Sequence, residues 1–480
     1  MKKFTIMMIF CLSITHIFAQ TDVPKVNAIG VVKTNVNLRG APVVLEQIDF
    51  TAPGSGTVIV HFDGTCIPTS GDRIVLAASN TTGWTANDGN VSVKDTRKPF
   101  SHTRAYSVTA GNHTFYAIGQ NYVDQGGTGI ASVYGTLSIE YIPDAHSVIA
   151  KHTGISKTNV NLRGAAVNLG EITFNAPSAG KVWVHFDGAC IPSVGDRIVL
   201  AASNSVGWTA NEGNTSVAHE GLSFSHSMTY DVTAGSQTFY AVGQNYVETS
   251  GTGFASVYGS LTVIFFPSSS DYEIESEGYS ESNVNLRGNP VVLEQAEITA
   301  STAGKVLVQF NGFCIPSSGD RIVLAASNTT NWGINDGCIT VTSNKSSFSH
   351  SRIYDVAAGT HTFYGVGQNY VEMNGTGIAS VYGHLVVKFF PDGTADLDEY
   401  LASAIKIYPN PAQDFILIET QLNSIIELTD INGKIIETIR TEQSVSELNI
   451  SQLTTGIYLL NIKDSDGSQL QTRKFVKSNK

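Results

Sequence analysis

Three times along this chain, a tryptophan in a polar loop is followed by a Gln-Asn-Tyr triplet. Trp84 ends the run Asn80-Thr81-Thr82-Gly83-Trp84 and precedes Gln120, Asn121 and Tyr122. The set returns as Trp208 with Gln244, Asn245 and Tyr246, and again as Trp332 with Gln368, Asn369 and Tyr370. An indole in a turn-rich loop suits stacking against a sugar ring. Amide side chains offer planar hydrogen bonds to hydroxyl groups. These residues are the candidate ligand-binding positions. The competing reading is that each indole plugs the end of a fold while the amides satisfy loop backbone, and the sequence leaves both open.

Other reactive side chains make a weaker case. Cys66, Cys190 and Cys314 occupy one equivalent position in three copies. A lone cysteine per copy has no internal partner and reads as a small buried hydrophobe. The rival is a nucleophile beside His61 or His102, but Gln309 replaces the His61 counterpart in the third copy. The third copy alone adds Cys338, so Cys314 and Cys338 are candidates for a disulfide in an oxidising compartment. His102, His226 and His350 each follow Phe-Ser and lack neighbours at metal-ligand spacing, so no metal site and no cofactor are expected. Asp72, Asp196 and Asp320 precede arginines and read as turn caps or ion-pair partners. A glycosidase needs two facing carboxyl groups, yet Asp63 and Asp187 become Asn311 in a copy that otherwise looks intact. No H-E-x-x-H, G-x-S-x-G or phosphate-loop motif appears. The expectation is a secreted or cell-surface binding protein, an adhesin or glycan-binding array, and not an enzyme. A structural or self-associating surface protein is the alternative, and a polysaccharide-degrading hydrolase comes third.

The elements that must position these residues come from an internal repeat. Asn35-Val36-Asn37-Leu38-Arg39-Gly40 recurs from Asn159 and from Asn283, and Gly71-Asp72-Arg73-Ile74-Val75-Leu76 recurs from Gly195 and from Gly319, all at an offset of 124. Three domain-sized copies follow, at 22–144, 146–268 and 270–392, each expected to fold alone. Val133, Leu137, Ile139 and Tyr141 alternate with Thr136, Ser138 and Glu140, which predicts a half-buried strand. Val58, Val60 and Phe62 form a second apolar row, with Ile59 and His61 on the opposite face. The segment Val93–Pro99 changes from copy to copy and reads as an exposed loop. About eight strands per copy, punctuated by turn signals and without helical periodicity, predict an all-β chain of three antiparallel, jelly-roll-like sandwiches. The order of events also loosely resembles the tumour-necrosis-factor and complement-globular-head jelly rolls. It runs from Gly56-Thr57-Val58-Ile59-Val60-His61-Phe62 through the Ala110-Gly111 turn and His113-Thr114-Phe115-Tyr116 to a last apolar strand ending at Pro143.

The two ends read differently. Lys2, Lys3 and the apolar run to Phe18 form a signal peptide over residues 1–19, too short to span a bilayer. No later segment predicts a membrane span. Losing Lys2 and Lys3 makes the formal charge −14 rather than −12, which excludes nucleic acid and anionic membranes as main partners. Residues 393–403 form a polar linker. Beyond it, at 404–480, come Ile405-Lys406-Ile407-Tyr408-Pro409-Asn410-Pro411, then Leu428-Thr429-Asp430-Ile431-Asn432-Gly433-Lys434, then Leu453-Thr454-Thr455-Gly456-Ile457-Tyr458-Leu459. In that order, with the basic end Arg473-Lys474-Phe475-Val476-Lys477, they resemble the C-terminal sorting domain of the Bacteroidetes type IX secretion system. The short alternating strands agree with a small immunoglobulin-like sandwich. The resemblance implies export through the type IX machinery and removal of the tail by a sortase-like peptidase. The product would be extracellular or held at the outer-membrane surface. An extracellular glycan or other surface ligand is then the expected partner of the repeats.

Overall fold

A computed structural model describes residues 23–392 and 406–478, apart from 125–126, 145, 219–221, 249–250, 335–336, 343–344, 373–374, 420–423, 432, 442–444 and 464–468. The segments expected to form a signal peptide and a linker lie outside the described residues. The chain divides into two compact units, with the boundary between Pro391 and Asp392.

The first repeat contains eight strands in two antiparallel sheets. One sheet has the order β1 (Lys25–Asn37), β8 (Ile130–Pro143), β3 (Gly56–Pro68), β6 (Lys98–Val108). The other runs β2 (Val43–Ala52), β7 (Gly111–Asp124), β4 (Asp72–Ser79), β5 (Val91–Lys94). This is a jelly-roll sandwich, and it recurs as β9–β16 between Ile149 and Pro267 and as β17–β24 between Glu273 and Pro391. The predicted rows fill its interior: Val58, Val60, Phe62, Val133, Leu137, Ile139 and Tyr141 share one core with Ile74, Leu76 and Phe115. Each burial of such a side chain is worth roughly 1.5–3 kcal/mol.

The opposite faces of β3 and β8 are also buried. Ile59, Trp183 and Leu307, one from each repeat, belong to a single apolar cluster with Ile264, Phe266, Val386 and Phe390. Thr136, Ser138 and Glu140 are almost wholly buried as well. The three copies therefore pack against one another through these sheets. Hydrogen bonds close the arrangement head to tail. Asp187 of the second repeat accepts from Ser101 and Thr103 of the first, at 2.9 and 2.7 Å. Asn311 of the third accepts from the Ser227 backbone of the second at 3.0 Å. Asp63 of the first accepts from Ser349 and Ser351 of the third, at 3.2 and 2.6 Å. The result is a ring of three unequal copies around a shared axis, within one chain.

The second unit contains β25–β31. A three-stranded sheet of β25 (Lys406–Tyr408), β26 (Phe415–Glu419) and β29 (Val445–Asn449) faces a four-stranded one. The latter has the order β28 (Ile435–Arg440), β27 (Ile425–Asp430), β30 (Gly456–Lys463), β31 (Gln469–Lys477). Ile416, Ile426, Leu460, Ile462 and Phe475 fill the space between, giving the immunoglobulin-like sandwich expected. Among the described residues, no helix is long and apolar enough to cross a membrane.

Candidate functional site

The outer sheet of each repeat builds the aromatic cluster. Between β4 and β7 the register slips, with Arg73 opposite Val123 and Ile74 opposite Asn121, so Tyr122 is the extra residue of a β-bulge. A bulge re-aims the side chain it carries, and Tyr122 stands 55% exposed. The same slip places Tyr246 and Tyr370, each 52% exposed. Trp84 meets Tyr122 edge-on at 5.9 Å, and Trp208 and Trp332 meet Tyr246 and Tyr370 at 5.6 and 5.8 Å. The loop indole is aimed by Gln120, whose Oε1 accepts from Trp84 Nε1 at 2.5 Å and whose Nε2 donates to the Gly40 carbonyl. Gln244 and Gln368 hold Trp208 and Trp332 in the same way.

Asn121 lies on the other side of the strand. It is buried, donating from Nδ2 to Asp72 Oδ1 at 2.8 Å while Asp72 Oδ2 accepts from the Gly129 backbone at 2.7 Å. Asn245 and Asn369 make the same clamp with Asp196 and Asp320. The asparagines therefore hold the loop and leave the exposed surface to Trp and Tyr. Strand alternation carries this outcome, because neighbours in a strand face opposite ways.

The arginine after each clamping aspartate joins the cluster. Arg73 lies over the Tyr122 ring at 5.3 Å, Arg197 over Tyr246 at 4.4 Å and Arg321 over Tyr370 at 4.1 Å. Such cation–π contacts are worth about 0.5–1 kcal/mol when exposed and more when desolvated. Sequence reasoning paired these arginines with their preceding aspartates. The available signal was alternation along β4, which sets Arg73 on the face opposite Ile74 and Leu76.

The third repeat departs from the others in this loop. Asn90 and Asn214 donate to the Thr85 and Thr209 carbonyls at 2.6 Å. Their counterpart is Cys338, which packs instead against Val323, Ala325 and Trp332. Cys314 lies in the separate interior of the third sandwich. Both are free thiols, so the disulfide the spacing allowed does not form. Burial pushes the thiols of Cys66, Cys190 and Cys314 far above their ordinary pKa. His61 faces the shared axis and Cys66 its own core. His102 Nδ1 accepts from the Ala78 backbone at 3.0 Å, as His226 and His350 do from Ala202 and Ala326.

The axis itself concentrates titratable groups. His61 contacts Thr103 Oγ1 at 2.5 Å through Nδ1 and Asp63 Oδ2 at 3.0 Å through Nε2. His185 lies with its ring 5.4 Å from that of His61, and Asp187 completes the buried group. Burial works to lower the His61 pKa, but the hydrogen bond and charge of Asp63, with Asp187 and Glu140, raise it. Burial lowers that of His185. These three groups belong to two different repeats, and single-copy reasoning could not bring them together. Lys388 donates to both Glu140 oxygens, at 2.7 and 2.8 Å, and lies 3.7 Å from the Trp183 ring centre.

In the second unit, the motif residues close the sandwich. Asn410 accepts from the Val476 backbone at 2.9 Å and donates to the Lys474 carbonyl at 3.2 Å, tying the Tyr-Pro-Asn-Pro segment to the last strand. Asp430 caps the following turn by accepting from the Lys434 backbone at 2.9 Å, while Gly433 adopts the left-handed φ of 81° that the turn requires. Residues 406–478 match the family model described as a secretion system C-terminal sorting domain. This segment is a type IX sorting domain. The sorting domain directs the chain to the extracellular space or the cell surface. It also makes the secretion machinery a partner. No curated protein matches the chain. Among solved structures, PorZ of Porphyromonas gingivalis, titled an essential surface component of the type IX secretion system, matches at 17% identity and TM-score 0.16. That match covers 19% of this chain and 14% of that one. A β-glucuronidase of Ruminococcus gnavus matches at 11% identity and TM-score 0.13, covering 43% of this chain and 44% of that one. The chain thus spans less than half of either structure, and neither likeness bears on its activity.

Proposed function

We propose that the chain is a secreted or surface-displayed glycan-binding protein without catalytic activity, presenting three Trp–Tyr–Arg faces on one compact body. The observation that supports this reading is the exposed tyrosine of each bulge, flanked by an indole that a glutamine holds in one orientation and by an arginine over its ring. An exposed tyrosine beside a half-buried indole held in one orientation is well suited to stacking on a sugar. Three such faces raise avidity by roughly 10²–10⁴ when a ligand reaches more than one. The self-association reading has less to draw on, because the sheets through which the copies pack are already buried against each other.

A glycan array probed with the secreted chain tests the reading. The parent is expected to bind a defined set of glycans. The triple variant Tyr122→Ala, Tyr246→Ala, Tyr370→Ala is expected to lose at least about thirtyfold in affinity while melting within a few degrees of the parent. A parent that binds no glycan, or a triple variant that binds as the parent does, overturns it.

A further inference from the structure

The outer-sheet cluster of the third repeat opens onto the first repeat, and the two together enclose a cavity of about 260 Å³. Arg321, Trp332 and Tyr370 line it from one side, and Thr65, Arg97 and Tyr134 from the other. Its volume falls just below the roughly 300–1,000 Å³ of small-molecule sites, a scale that suits one sugar ring. Two guanidinium groups converge here, and among the described residues neither has a carboxylate partner. Arg97 Nη1 donates only to Thr340 Oγ1 at 3.3 Å, and Arg321 rests on the Tyr370 ring with its buried Nε unpaired. Burial and the nearby Arg321 charge together lower the pKa of Arg97. Among the described residues no anion accompanies these two cations in the half-buried cleft, an unfavourable arrangement that an anionic ligand would relieve.

The contact between the second and third repeats repeats the theme with different residues. Lys345 takes the place of Arg97 and stands 3.8 Å from the Phe313 ring centre. Burial and the charge of Arg197 push its pKa down to about 7. In the second repeat, the residue at the sequence position of Arg97 is Gly221, which has no side chain. The segment that carries Arg97 and Lys345 differs among the three copies at every position from 94 to 98. Arg97 and Lys345 therefore bring different cationic groups to these two junctions.

We infer that the cleft between the third and first repeats binds an acidic sugar, with its carboxylate or sulfate group between Arg97 and Arg321 and its ring against Trp332. This rests on the glycan-binding reading and adds the ligand's charge and its place. Paired guanidinium groups match the geometry of a carboxylate or sulfate, while the neighbouring aromatic ring takes the apolar face of the sugar.

Calorimetric titration of the secreted chain with methyl glucuronide, a sulfated methyl glucoside, methyl glucoside and inorganic sulfate tests this inference. One or both acidic sugars are expected to bind at least roughly tenfold more tightly than the neutral one. Which of the two binds distinguishes carboxylate from sulfate. Arg97→Gln is expected to remove that preference and leave the melting temperature unchanged. Equal affinity for neutral and acidic sugars, both lost in Trp332→Ala, retains the glycan reading and overturns the charged site. Inorganic sulfate binding as tightly as the sulfated sugar also overturns it, since the ring then contributes nothing. An acidic-sugar preference that survives Arg97→Gln places the site elsewhere and overturns it as well. No binding of any sugar overturns both readings.

Discussion

The axis where the three copies meet and the loops where each copy carries its tryptophan face opposite packing constraints, and their residues differ accordingly. Around the axis, equivalent positions differ: Glu140, Ile264 and Lys388 are one such set, and Ile59, Trp183 and Leu307 another. In the loops, Trp84, Gln120 and Tyr122 match their counterparts without exception. A symmetric trimer of separate chains must place the same residue three times at its axis. Three copies on one chain are free of that restriction. Here one glutamate meets one lysine beside one tryptophan, and the asymmetry specifies which repeat neighbours which. The outer aromatic clusters do not meet each other, so repeating the same Trp, Gln and Tyr three times costs nothing there.

The largest expected effect comes from removing the axis altogether. Expressed alone, residues 146–268 keep their own core but expose Trp183, Ile264 and Phe266, which the other repeats cover. Burial of those side chains is worth about 5–9 kcal/mol in sum. The isolated repeat is expected to unfold cooperatively, but at a markedly lower denaturant midpoint than the whole repeat unit. Equal midpoints would mean that the axial contacts contribute little.

Within the axis, Lys388→Met is expected to cost about 3–5 kcal/mol, because it leaves Glu140 buried without its partner. The double variant Glu140→Ile, Lys388→Ile installs the second repeat's own residue at both positions. It is expected to be as stable as the parent or more so, since apolar replacement of a buried pair is commonly neutral or favourable. Urea denaturation of both variants separates the pair's role in stability from its role in ordering the repeats.

Acid sharpens the same contrast. Burial pushes His226 down to about 3 and His384 to about 4, and their rings lie 6.2 Å apart across the second and third repeats. A lowered imidazole pKa means that the unfolded chain takes up the proton first, so stability falls as pH drops through 6.5 and goes on falling towards the folded values. Between pH 7 and pH 5 each histidine is expected to cost about 2 kcal/mol. His61 works in the other direction, because its raised pKa adds stability at low pH that is lost as pH rises through the folded value. His384→Thr, which restores the residue of the first repeat, is expected to flatten the acid limb by about half when melting is followed across pH.

The contrast also explains what the sequence made legible. Period-two alternation along β3 and β8 identified every core row correctly, because side chains on a strand must alternate whatever covers them. It did not reveal what lay on the second face. Polar residues such as Ser138 and Thr136 read as solvated, yet they sit at the axis, where hydroxyl groups satisfy the buried Asp63 and Asp187 elsewhere in the same layer. Glu140, placed by alternation on the polar face, belongs instead to a buried interior in which its counterparts are Ile264 and Lys388. The segment Val93–Pro99 misled in the same way: Arg97 lines the cleft between the third and first repeats, and its counterpart Lys345 is half-buried near the charge of Arg197. At the loops, Trp84, Gln120 and Tyr122 lie together, while Asn121 is separated from them by the alternation of the strand. The sorting domain was readable almost residue by residue, because its turns and clamps are local in sequence.

The smallest expected effect tests how the loops hold their shape. Trp84→Phe keeps an aromatic ring but removes the indole N–H, leaving Gln120 Oε1 without its donor. Gln120 is partly solvated, so water replaces much of that bond and the cost is expected to be about 1 kcal/mol or less. Trp332→Phe should cost more, because Trp332 also packs against Val323, Ala325 and Cys338, contacts that the first repeat replaces with the Asn90 hydrogen bond. Equal losses at the two positions would show that the glutamine bond alone orients the ring. A larger loss at Trp332 would show that the third repeat, which forms one wall of the cleft, has exchanged a polar clamp for an apolar one.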